Sequence, residues 1–262
     1  MTEKVLPAQP RSAAQRKRIA LLAFAAYFAI MGMAMFVIKH VAGSSYTSND
    51  MTATLFWFEV PMTCLAVFVW LRFFRGSLTR LRSTPRSRWL VVAAALLGAN
   101  ALWMLWQFFT TAAFDGRSQK LLLFMLATTF LVGVSEEIIF RGIMLPAYLE
   151  TAGRIRAIII SSAFFSVFHV VNILGGLPVE SVLVQMTTVF VGGITYAVIA
   201  LELGAIWPLM LYHFVWDFTL LTGFYTNADL GAAPSVGTAL EMIAGPVMLV
   251  VLLVHSRKNT HR

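Results

Sequence analysis

With 262 residues, 59% of them hydrophobic and only 12% charged, the chain has the length of one large domain and a mean hydropathy of +0.78, which excludes an ordinary soluble enzyme and describes a polytopic membrane protein. Its net charge of +8 does not mark a nucleic-acid partner, because the lysines and arginines stand in loops beside apolar runs, with no stacking platform or basic groove. The single cysteine, Cys64, lies inside an apolar run and excludes an intramolecular disulfide or a cysteine-rich metal site.

Residues 1–18 form a polar, basic tail, followed by an apolar run over 19–38. That run is longer than a signal-peptide core and no small-residue cleavage site closes it, so a retained first helix is expected. Further runs follow at 51–74, 89–109, 121–148, 155–174, 182–204, 205–224 and 239–255. The expected fold is therefore an all-α membrane bundle of about eight transmembrane helices. Helices one to three fall in 19–110, a core of four helices in 121–224, and the last helix with a basic tail in 239–262. Lys and Arg count sixteen in alternate loops and three in the others (Lys39, Arg117 and Lys120), which predicts that both termini are cytoplasmic. Only Glu202, Leu203 and Gly204 separate the sixth and seventh runs. Gly192, Gly193 and Ala197 are expected as a small-residue packing face, Pro208 as a bend in the seventh helix, and Glu202 and Glu241 at helix ends. Glu59 has no assigned role.

The run 121–148 carries charge near its middle: Glu136, Glu137 and Arg141. An ionised side chain at the centre of a spanning helix costs about 2.5 to 3.5 kcal/mol, so such groups face a partner or a water-filled cavity. Successive residues turn about 100°, which leaves Glu137 and Arg141 within about 40° of each other and Glu136 about 140° from Arg141. Glu137 is expected to pair with Arg141, and Glu136 to face elsewhere. Two of the five histidines, His169 and His213, also fall inside spans. His213 and Asp217, four apart, share a helical face, as do His169 and Asn172, three apart. Measured from the cytoplasmic end of each helix, the glutamates lie roughly 16 to 18 Å deep, His169 roughly 20 Å and His213 roughly 12 Å, in one layer. A partly desolvated carboxylate beside imidazoles is suited to activating water as a general base.

The motifs Glu136-Glu137-Ile-Ile-Phe-Arg141, Phe165-x-x-x-His169 and His213-x-x-x-Asp217, in this order over about 122–222, resemble those of the CPBP family. That family comprises CAAX prenyl endopeptidases of the Ras-converting type and bacterial bacteriocin-processing or self-immunity relatives. The resemblance implies a glutamic intramembrane endopeptidase acting on a membrane-associated protein or peptide. Its location would be a membrane of the bacterial cytoplasmic type, with the site open to the cytoplasmic side. By motif position Glu136 and His169 would activate the attacking water and His213 and Asp217 would contact the oxyanion. Glu137, Arg141 and Asn172 would support them. Prenyl-processing members carry asparagine at the position of Asp217, and an ionised aspartate donates no hydrogen bond. Asp217 would then orient His213 or hold its imidazolium form. No cofactor is expected. The alternative is a zinc site on Glu136, His169, His213 and Asp217, which lacks the H-E-x-x-H spacing. Other functions compatible with intramembrane Glu and His are a proton-coupled transporter and a non-catalytic immunity or scaffold protein.

Overall fold

A computed structural model describes residues 12–81 and 88–260. Lys4, Arg11, Arg82, Arg86 and Arg262, which enter the charge count, lie outside the described residues. Helix α1 (Ala13–His40) starts at a capping box, in which the Ser12 hydroxyl accepts from the Gln15 amide and the Gln15 side chain accepts from the Ser12 amide. Helix α2 (Met51–Val69) widens into a π-helical turn over Trp70–Phe74, and short α3 (Ser77–Leu81) follows. Helix α4 is Arg88–Thr111. Helix α5 (Gln119–Glu137), capped by Ser118, continues through a π-helical stretch at Ile138–Met144 into α6 (Leu145–Ala152). Gly153, at φ 77°, breaks this run before α7 (Arg154–Phe168), which ends in a 3-10 turn at His169–Ile173. Helices α8 (Val179–Leu203), α9 (Trp207–Thr226) and α10 (Ala233–Thr260) complete the bundle.

There is no strand among the described residues, and seven segments are long and apolar enough to cross a membrane. The expected span at 205–224 forms α9, a separate 20-residue helix, because Gly204 takes the left-handed conformation that ends α8. Its polar side chains, among them Tyr212, His213 and Asp217, leave it less apolar than those seven. Pro208 does not bend this helix; it stands in the first turn, where a missing N–H costs nothing. Trp57, Phe68, Trp106, Phe109 and Phe224 are exposed on the outer surface, as befits a lipid-facing belt.

The helix ends gather at two faces. At one, Arg16 pairs with Glu150 at 2.7 Å and donates to Ser77, Arg154 pairs with Glu202, and Thr79 donates to the Gly204 carbonyl. These contacts join the start of α1, α3, the end of α6, the start of α7 and the α8–α9 turn; this is the basic end. At the opposite end the Tyr46 amide donates to the Gly175 carbonyl, and the Ala113 amide donates to the Thr226 carbonyl. The loop 41–50 there is tightened by Ser44, whose hydroxyl donates to Asp50 at 2.8 Å. The Ser44 and Ser48 hydroxyls hold the Asp50 carboxyl below its usual range.

Helix α5 packs between α2 and α9, and α8 between α7 and α10. The α5–α9 contact is backbone-close: a Cβ at Gly133 would stand 2.8 Å from the Phe214 nitrogen and 3.0 Å from the Met210 carbonyl oxygen. Neither atom can swing away as a side chain end would. Gly133→Ala is therefore expected to lower stability by about 1 to 3 kcal/mol, read as an earlier thermal unfolding midpoint in detergent. Gly193 meets Ser162 and Phe165 of α7, whereas Gly192 makes room for the Glu241 carboxylate of α10.

Candidate functional site

The four-residue spacing on the α5 run forms the pair expected of it. Arg141 Nη1 donates to Glu137 Oε1 at 2.9 Å, and both side chains have 0% exposure. Four residues make nearly one turn of either an α or a π helix, so the pair survives the change of winding at Ile138. The Arg141 guanidinium is further held over the rings of Phe165, at 4.2 Å, and Tyr196, at 5.0 Å. Glu137 Oε1 also takes the His213 Nδ1 at 3.1 Å. A carboxylate only accepts, so the proton of that bond sits on Nδ1. Glu137 thus ties α5 to α9.

Glu136 turns away from Arg141. It is buried, its Oε2 accepts no hydrogen bond among the described residues, and it lies 3.9 Å from His213 Nε2. Asp217 Oδ2 approaches the same nitrogen at 3.5 Å. Glu136, His169, Asn172, His213 and Asp217 line one cavity of about 470 Å³, so the structure brings the expected site residues together from α5, α7 and α9. His169 stands where α7 tightens into its 3-10 turn, and its Nδ1 lies 2.8 Å from the Phe165 carbonyl oxygen. That oxygen cannot donate, so Nδ1 carries the proton and Nε2 is the acceptor of the neutral ring. Asn172 donates to Gln185 at 2.9 Å, and Gln185 donates to the Tyr46 hydroxyl at 3.1 Å.

Two further carboxylates, on helices the motifs do not cover, lie in or behind the site. Glu241 is not at a helix end: α10 begins at Ala233, with Pro234 in its first turn, and Glu241 lines the cavity while accepting from the Tyr196 hydroxyl at 2.8 Å. The proline was the available signal for that earlier start. Glu59 of α2 is fully buried and accepts from Ser135, the neighbour of Glu136, at 3.2 Å. Ser135 and Tyr27 of α1 share a further hydrogen bond of 2.7 Å. Among the described residues no three His, Cys, Asp or Glu side chains converge as a metal-holding group. Glu136 and Asp217 flank a single imidazole nitrogen rather than a common centre.

Apolar helices packed around buried carboxylates, imidazoles and a shared cavity make this an integral, multi-pass membrane protein with a polar site inside the bundle. Residues 118–219, which include every motif residue from Glu136 to Asp217, match the family model described as Rce1-like, type II CAAX prenyl endopeptidase. The match covers less than half of the chain, and it makes this part similar to the CAAX-type proteases that the model describes. No curated protein matches the chain.

Proposed function

We propose that the protein is an intramembrane endopeptidase of the glutamic type, which hydrolyses a peptide bond of a membrane-associated protein or peptide. The observation that carries this reading is the contrast between adjacent glutamates. Glu137 is fixed by Arg141 and His213, whereas Glu136 presents a buried carboxylate oxygen that accepts no hydrogen bond, near the His213 imidazole and in the same cavity as His169. In this reading Glu136 takes a proton from water as the water oxygen attacks the scissile carbonyl carbon, with His169 Nε2 accepting from the same water. The carbonyl becomes an oxyanion. With Nδ1–H committed to Glu137, His213 can donate from Nε2 only as an imidazolium, whose charge Glu137 and Asp217 balance. Asp217 therefore acts on His213, not on the oxyanion. Collapse of the tetrahedral intermediate breaks the C–N bond, and the proton held by Glu136 passes to the leaving amine.

Metal-independent chemistry is part of the proposal. Cleavage of a peptide library by purified, reconstituted protein is expected to continue at an unchanged rate in a strong chelator. Loss on chelation with recovery on adding zinc would overturn the glutamic mechanism, and the absence of any cleaved peptide would overturn the peptidase reading.

A further inference from the structure

The cavity is not symmetric between the two ends of the bundle. Its floor is formed by Glu136, His213 and Tyr196, and beyond that floor lies the Glu137–Arg141 pair. Every residue from Ser135 to Tyr148 is buried, including the whole π-helical stretch and the first half of α6, so this plug fills the space between the floor and the basic end. The ion pairs Arg16–Glu150 and Arg154–Glu202 tie the helix ends together outside the plug.

In the other direction the lining runs toward the opposite end on every helix that contributes. It takes the second half of α1 at Met35, the loop residue Tyr46, the start of α2 at Met51 and the 3-10 turn after α7 at Asn172. On α8 and α10 it takes early residues, Gln185 and Thr238, and on α9 a late one, Leu221. Tyr46, Gln185, Leu221 and Thr238 are all partly accessible. The mouth therefore lies among the loops 41–50, 174–178 and 227–232.

The charge pattern then says which side of the membrane this is. Among the described residues and leaving Arg141 aside, eleven of the fourteen lysines and arginines stand at the end closed by the plug, and only Lys39, Arg117 and Lys120 at the end with the mouth. Basic residues in short loops are retained in the cytoplasm. We propose that the site is entered from the non-cytoplasmic face, and that its substrate is the extracytoplasmic stretch of a membrane-anchored or exported polypeptide. This replaces the cytoplasmic opening that the family resemblance implies. As a statement about substrate it rests on the peptidase reading; as a statement about access it rests on the helix directions, the plug and the charges alone.

The test uses the full chain in intact cells, in a Cys64→Ala background, because Cys64 is exposed on α2. Single cysteines are placed at Ala232, exposed in the loop before α10, at Thr238 in the mouth, and at Thr151, exposed at the basic end. A membrane-impermeant maleimide is expected to label Ala232→Cys and Thr238→Cys in intact cells, and Thr151→Cys only in inverted vesicles. Labelling of Thr238→Cys from inverted vesicles alone would overturn the proposal. So would a reactive Ala232→Cys beside a Thr238→Cys that reacts from neither side. Peptide added to right-side-out vesicles of wild-type protein is expected to be cut, and peptide added to inverted vesicles to be spared. The expected labelling without any cleavage refutes the peptidase reading and leaves the route of access standing, whereas cleavage confined to inverted vesicles refutes the route and leaves the peptidase.

Discussion

Glu136→Gln is expected to lower peptide cleavage by about 10²- to 10⁴-fold, the range that a positioned general base contributes. The amide has the size and shape of the carboxylate, and Glu136 makes no hydrogen bond through Oε2 that its replacement would break. Expression, detergent stability and the thermal midpoint are therefore expected to match the wild type. That separation of activity from folding is the point of the experiment. A purely structural Glu136 predicts the reverse, full activity in whatever fraction folds, and full activity in the variant would refute the assigned base.

The second large effect concerns stability. Arg141→Met takes the arginine from a fully buried Glu137 and leaves His213 Nδ1 as its remaining polar contact, and breaking a buried ion pair from one side costs about 3 to 5 kcal/mol. The variant is expected to accumulate poorly and to unfold well below the wild-type midpoint. Converting the partner as well, in Glu137→Gln with Arg141→Met, removes the stranded charge and is expected to restore much of the midpoint. Activity is expected to stay low in the double variant, because Glu137 also fixes His213 through Nδ1. Equal destabilisation in the single and double variants would show that Arg141 acts through its packing on Phe165 and Tyr196 rather than through charge.

The helices were legible because a spanning segment needs about twenty apolar residues, and such runs are hard to hide in a sequence. The Glu137–Arg141 pair was legible for a similarly local reason, since a four-residue spacing fixes the angle between two side chains on one helix. What sequence could not supply was contact between helices far apart in the chain. Glu59 reaches Ser135 across 76 positions, and Glu241 reaches Tyr196 across 45. Each looks like an isolated carboxylate until packing brings its partner near. The start of α10 was misplaced because Ser235, Gly237 and Thr238 dilute the apolar signal of its first turns. The direction of the cavity was hidden for a different reason: groups near mid-membrane are about equally far from both faces, so depth along a helix does not tell which end is plugged.

The continuous run from Gln119 to Ala152 has 34 residues, about 50 Å of helix, against a hydrocarbon layer of about 30 Å. Tilting alone would need more than the 0 to 40° range in which membrane helices lie, at roughly 53°. The half that holds the glutamates and Arg141 is buried from Ser135 to Tyr148, so protein rather than lipid surrounds it. Hydrophobic mismatch is thereby confined to the half before Ser135, where Leu123 and Phe130 are exposed. The height of Glu136 is referenced to its neighbouring helices, and a thicker or thinner bilayer presses on one end of this helix without moving the Glu136 carboxylate relative to His169 and His213.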